Sequence, residues 1–184
     1  MSSFFKISRM RFGIGIVWIL MSALSVSAAL GSLNSEQVYM AASTKKNHYI
    51  QDGLVIGGDR AISDVIVLDI RHAKNREFER IVIDLEGNRQ GEPAAIERPP
   101  YYQVAITPDM NRLVFTIWGN PKLAFDARRV LKAFHKSGLI QTVQLLPVLE
   151  KDRWNFILEL RKRRPVEIFE LSNPVRLIVD LKAQ

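Results

Sequence analysis

Along most of this chain apolar residues recur with a period of two, broken at short intervals by turn residues. Asp64 to Arg71 is rich in Val and Ile, and Arg80 to Glu86 follows the charged connector Lys74-Asn75-Arg76-Glu77. Gly87-Asn88 closes that strand, and a loop with Pro93, Pro99 and Pro100 leads to a strand over Tyr101 to Thr107. Pro108-Asp109-Met110-Asn111 reads as a turn, since Pro fixes φ and Asp and Asn tolerate tight conformations. Arg112 to Trp118 returns as the next strand and stops at Gly119-Asn120-Pro121. Further strands are expected over Ile140 to Leu149, Arg153 to Arg161, Val166 to Leu171 and Val175 to Leu181. In Arg153 to Arg161 the apolar Trp154, Phe156, Leu158 and Leu160 alternate with the residues between them, which predicts one fully buried face with Trp154 in the core.

Between Asp126 and Ser137 the period changes to about 3.6. Ala127, Val130, Leu131 and Phe134 then share a face, with Asp126 placed as N-cap and Gly138 just past the C-terminus. One amphipathic helix is expected there, covering an open end or face of the sheets. About eight strands in hairpin order, with no βαβ rhythm, imply an all-β fold: an antiparallel β-sandwich with one helix. Three strands share a recipe that starts with arginine: Arg80 to Leu85, Arg112 to Ile117 and Arg176 to Leu181.

The N-terminal segment follows a different logic. Lys6, Arg9 and Arg11 precede an apolar run from Phe12 to about Leu24, and small residues end at Val26-Ser27-Ala28. That is the three-part layout of a cleavable signal peptide, expected over residues 1–28 with cleavage after Ala28. The run of roughly 13 residues is short of the ~20 that cross a bilayer comfortably. An uncleaved inner-membrane anchor is the alternative, because Ser25 to Leu33 could lengthen the apolar segment. Residues 29–58 are small, polar and aperiodic, as in a flexible lead-in, with Gly53, Gly57 and Gly58 read as loop residues. Residues 59–184 are one domain's worth of chain. The destination is the periplasm, with membrane contact only through the signal segment.

Composition narrows the classes further. The chain has no cysteine, so it carries no disulfide and no lipoprotein anchor, and its core must hold it. It has 26 Lys and Arg against 19 Asp and Glu, and three of the basic residues lie in the leader, so the remainder is about +4. No stripe of Arg with stacking aromatics resembles a nucleic-acid module, and nucleic acid is not an expected partner. Mild positive charge instead suits an anionic polymer of the cell envelope.

The C-terminal run Val166 to Leu181, a strand with a buried leucine, a Ser172-Asn173-Pro174 turn and then Arg176-Leu177-Ile178-Val179-Asp180-Leu181, resembles the closing hairpin of the AMIN domain. Phe78-Glu79-Arg80-Ile81-Val82-Ile83-Asp84-Leu85 is similar to an early strand of that family. The likeness spans about residues 60–182. It implies a β-sandwich module that binds peptidoglycan or positions an amidase, a secretin or a division protein. The chain ends at Gln184 without room for a catalytic domain, so the resemblance implies a stand-alone AMIN-like protein. The helix and the loop from Gly91 to Pro100 depart from the family's compact pattern.

Catalytic chemistry finds little support. A zinc amidase needs converging His and Glu ligands, whereas His48, His72 and His135 fall on the lead-in, a strand end and the helix, with no pair at helix-face spacing. There is no GxSxG elbow and no Gly-rich loop opening a helix. No catalytic residue, metal or cofactor is expected. Asp84 and Asp180 sit at matching places and read as partly exposed sheet-edge acids, with the strand-initial arginines as their structural partners.

The candidate ligand-binding residues are Arg161, Lys162, Arg163 and Arg164, together with Tyr101 and Tyr102. The basic run is either a solvated turn that discourages edge pairing or a contact for stem-peptide carboxylates. Tyr101, Tyr102 and Trp118 lie near loops where they could stack on sugar rings, with Tyr102 expected to be the more exposed of its pair. The functional expectation is a non-enzymatic, periplasmic cell-wall-binding module. The rival is a protein-protein adaptor in a secretion, pilus or division complex that works through an edge strand or surface contacts.

Overall fold

The period-two segments form strands, and the computed structural model places them in two mixed sheets. It describes residues 38–148 and 152–183; the expected signal segment and the start of the lead-in, residues 1–37, lie outside these. In chain order the strands are β1 (Val38–Met40), β2 (Gly53–Gly57), β3 (Val65–Lys74), β4 (Phe78–Arg89), β5 (Glu92–Ala94), β6 (Tyr102–Thr107), β7 (Arg112–Trp118) and β8 (Lys122–Leu123). The helix α1 (Ala127–Phe134) follows, then β9 (Ile140–Leu145), β10 (Arg153–Leu160), β11 (Val166–Ser172) and β12 (Val175–Lys182).

The first sheet has the order β1-β2-β6-β7-β10-β9, the second β11-β12-β4-β3-β8, with β5 paired to β4. Twelve strands among the described residues replace the expected eight, and the pairing is not purely antiparallel: β1 runs parallel to β2, and β8 to β3. The additional strands are short segments whose pairing depends on a neighbour's edge, and such segments show no alternation of their own. The lead-in is corrected in the same way from Val38 onward, because β1 and β2 extend the first sheet. Between them, Ala42 and Ile50 bridge to Phe169 and Val166 on the outer edge of β11.

Alternation decides what is buried. Trp154, Phe156, Leu158 and Leu160 are buried as expected, and both sheets feed one contiguous apolar cluster with α1's Val130 and Phe134. Asp126 caps α1 as expected, accepting from the Arg128 and Arg129 amides, whereas Ala127 and Leu131 stay exposed. The helix packs against β3 and β9, one strand from each sheet. Within β3 a bulge between Val67 and Asp69 inserts Leu68 as an extra residue, so Leu68 and Asp69 both lie off the buried face and burial passes from Val65 and Val67 to Ile70.

The recurring arginine strands now have a physical explanation. β4 and β12 lie antiparallel in a register that sets Arg176 opposite Asp84 and Arg80 opposite Asp180. Each copy of the recipe therefore supplies the acid that the other copy's arginine needs. Arg80 grips Asp180 through two bonds of 2.6 and 2.8 Å, and Arg176 reaches Asp84 at 3.0 Å, with Arg71 holding Asp84 from β3. Arg112 repeats the logic across the other sheet, 2.7 Å from Glu159. The expectation of edge acids is corrected, since β4 and β12 are interior strands and Asp180 is 0% exposed. Its outer side is closed by the 41–50 segment, where Lys45 Nζ donates to Asp180 at 2.7 Å and lies 3.9 Å from the Phe78 ring.

Candidate aromatic cleft

At the end of β7 the chain must turn, and Gly119 and Asn120 do so with φ of +93° and +47°. A side chain at 119 would also strike the Ile62 carbonyl, 2.9 Å from where its Cβ would stand, so glycine is required twice over. This turn holds Trp118, the last residue of β7, beside Tyr101, which immediately precedes β6. The Trp118 amide donates to the Tyr101 carbonyl at 3.0 Å, and the Tyr101 amide to the Asp59 carbonyl at 2.9 Å. The two rings lie with centroids 4.9 Å apart, tilted by 44°.

A cleft of about 680 Å³ opens over these rings, with Arg60, Ser63, Gln103, Asn120 and Asp152 among its walls. The Arg60 guanidinium sits 4.2 Å from the Tyr101 ring centroid, an attractive cation–π geometry, and has no acidic partner among the described residues. Gln103 Nε2 donates to the Tyr101 hydroxyl at 2.7 Å, and Asn120 Nδ2 to Asp64 at 3.3 Å. Two half-buried aromatic rings, a guanidinium, a carboxylate and two amides thus face one open concavity. Such a lining suits a ligand with an apolar ring face and several hydroxyl or amide groups at its rim.

Tyr102 is elsewhere. It is 1% exposed, and its hydroxyl donates to Glu170 at 3.2 Å, which corrects the expectation that it would be the more exposed tyrosine and a ligand contact. The reason is parity: Tyr102, Val104 and Ile106 share the inward face of β6. Burial pushes the Tyr102 hydroxyl well above its ordinary range, and the adjacent Glu170 carboxylate adds to this, so it remains a donor. Glu170 also accepts from the Gly58 amide at 2.8 Å and from Arg98 at 3.0 Å.

The basic run follows β10, whose other end meets Trp118, so Arg161 to Arg164 and the aromatic cleft occupy opposite ends of the first sheet. Arg163 pairs with Asp52 at 2.7 Å and Arg164 donates to the Ala183 carbonyl at 2.8 Å. Arg161 and Lys162 are exposed and have no acidic partner among the described residues. Of the predicted residues, then, Tyr101 joins Trp118 in the cleft, and the rest lie apart from it. Arg60, Gln103, Asn120 and Asp152 were missed because they come from four separate segments.

His72 meets Glu79 at 3.0 Å, His135 ends α1 and His48 lies on the 41–50 segment. No helix among the described residues is long and apolar enough to cross a membrane. No family model matches this chain, and no curated protein matches it either.

Proposed function

We propose that this chain is an exported, non-enzymatic cell-wall-binding protein, an AMIN-like β-sandwich whose Tyr101–Trp118 cleft seats a sugar ring of peptidoglycan. The observation that carries the reading is the pairing of those two half-buried rings beside Arg60, which has no acidic partner among the described residues. A pyranose presents a face of C–H groups that stacks on aromatic carbon, while its equatorial hydroxyl and acetamido groups reach outward to Gln103, Asn120, Ser63 and Asp152. Arg60 can hold a carboxylate through two parallel bonds. Each such contact is shallow, and a repeating polymer offers many, so avidity supplies retention that one cleft does not. Arg161 and Lys162 add screened, long-range attraction for an anionic wall. Bound in the periplasm, the protein would position an amidase, a secretin or a division protein near its substrate.

Co-sedimentation with purified sacculi tests this. The chain should pellet with sacculi, Trp118→Ala should lower the bound fraction strongly, and neutralising residues 161–164 should lower it mainly at low salt. Equal pelleting of Trp118→Ala and the parent would remove the cleft from the mechanism.

A further inference from the structure

A second surface lies at the other edge of the first sheet. β9 is the terminal strand there, paired only with β10 among the described residues. On β10 the Leu160 amide donates to Asn111 on the β7 side, and the Arg161 amide to Leu139 on the β9 side. Backbone groups alternate along a strand, so Ile157 and Glu159 are the residues that bond Gln144 and Thr142 on β9. Val143 and Leu145 therefore turn their N–H and C=O groups away from β10, toward an edge with which no other described strand pairs. Such an edge is a template for another strand unless a protein blocks it.

Among the described residues no further strand pairs with this edge, which α1 flanks. A groove of about 360 Å³ runs between β9 and α1, lined by Leu131, Phe134, His135, Gln141, Val143 and Arg161. Leu131 is 37% exposed, the face of the helix that the sequence pattern expected to be covered. The adjoining chain is rich in cations: Arg128, Lys132 and Lys136 on and after α1, and Arg161, which lines the groove, with Lys162 next in sequence, have no acidic side-chain partner among the described residues. β9 itself carries no charge. Of the helix's basic residues, Arg129 is the one that is neutralised, by Asp69 at 2.6 Å.

We propose that this groove docks an extended, acidic peptide segment of a partner protein, which adds to β9 as a further strand. Its main chain would bond the outward groups of Val143 and Leu145, and one apolar side chain would settle against Leu131 and Phe134. Its carboxylates would face Lys132, Lys136 and Arg161. Alternate-residue recognition of this kind couples main-chain affinity to side-chain selectivity. The charge complementarity selects an acidic segment over a basic one.

The test uses a fluorescein-labelled synthetic peptide of alternating Glu and Val, titrated into the full chain by anisotropy. Two controls accompany it, one with Lys in place of Glu and one with proline at alternate positions and the same charge. The Glu peptide should bind, Lys132→Glu/Lys136→Glu should weaken it by about tenfold or more, and Leu131→Glu, at an exposed helix position that tolerates charge, should do the same. Amide exchange of Val143 and Leu145 should slow on binding, and Trp118→Ala should leave the affinity unchanged. Equal binding of the proline control would show that charge alone is read and overturn strand addition. Equal binding of the Lys peptide, no binding of the Glu peptide, or protection outside β9 would also overturn the proposal.

Discussion

Replacing Asp180 by Asn should be among the most damaging single changes available in this fold. The carboxylate is 0% exposed and takes two bonds from Arg80 and one from Lys45. Breaking a buried ion pair costs about 3–5 kcal/mol when the stranded charge cannot rehydrate. Here the Arg80 and Lys45 side chains are 30% and 27% exposed, so part of that cost is recovered from water. A loss of about 2–3 kcal/mol remains, equal to roughly 4–12 °C in Tm for a domain of this size. Circular dichroism thermal melts and urea titrations measure both quantities, and the m-value should stay constant. Arg80→Gln combined with Asp180→Asn should cost clearly less than the sum of the two, since both remove the same contact. A Tm within one or two degrees of the parent, or strict additivity of the pair, would refute the reciprocal-pair account of the two arginine strands.

Gly57→Ala should destabilise by about 2 kcal/mol or more, because its Cβ would stand 2.5 Å from the Tyr102 hydroxyl and 2.6 Å from Glu170, both held in place by their mutual bond; chemical denaturation reads the loss. Glu79 is buried, which raises its carboxyl pKa, but bonds from Ser137, the Gly138 amide and His72 outweigh this and hold it below the ordinary value. A depressed folded-state pKa contributes stability above the unfolded value of about 4.3, and that contribution is lost as pH falls through the folded one. The stability gap between the parent and Glu79→Gln should therefore be full at neutral pH and shrink below about pH 4, as urea midpoints across pH would show; a constant gap contradicts the assignment.

The strand alternation was legible where side chains decide it. β7 and β10 follow their apolar periodicity, and Asp126 marked the start of α1. The Arg-to-Asp recipe was visible as a repeat, and its partnership with Asp84 and Asp180 was anticipated. Its reciprocity was not, because that depends on the register of two strands about a hundred residues apart. Tyr102 was misplaced although Val104 and Ile106 carried its parity, since proximity to the proline loop outweighed the pattern. The bulge at Leu68 and the pairing of residues 38–57 left no mark, because backbone bonds to distant edges create them. In the cleft, Tyr101 and Trp118 were readable as aromatics near turns. Arg60 and Asp152 were not, because only the folded loops bring them to the same concavity.

Calorimetric titration with peptide-free glycan strands released from sacculi addresses the sugar-stacking cleft most directly. The parent chain should bind them, and Tyr101→Ala and Trp118→Ala, each still folded by circular dichroism, should lose about 1–2 kcal/mol, or roughly tenfold in affinity. Unchanged binding by either folded variant, or no binding by the parent, would contradict the account.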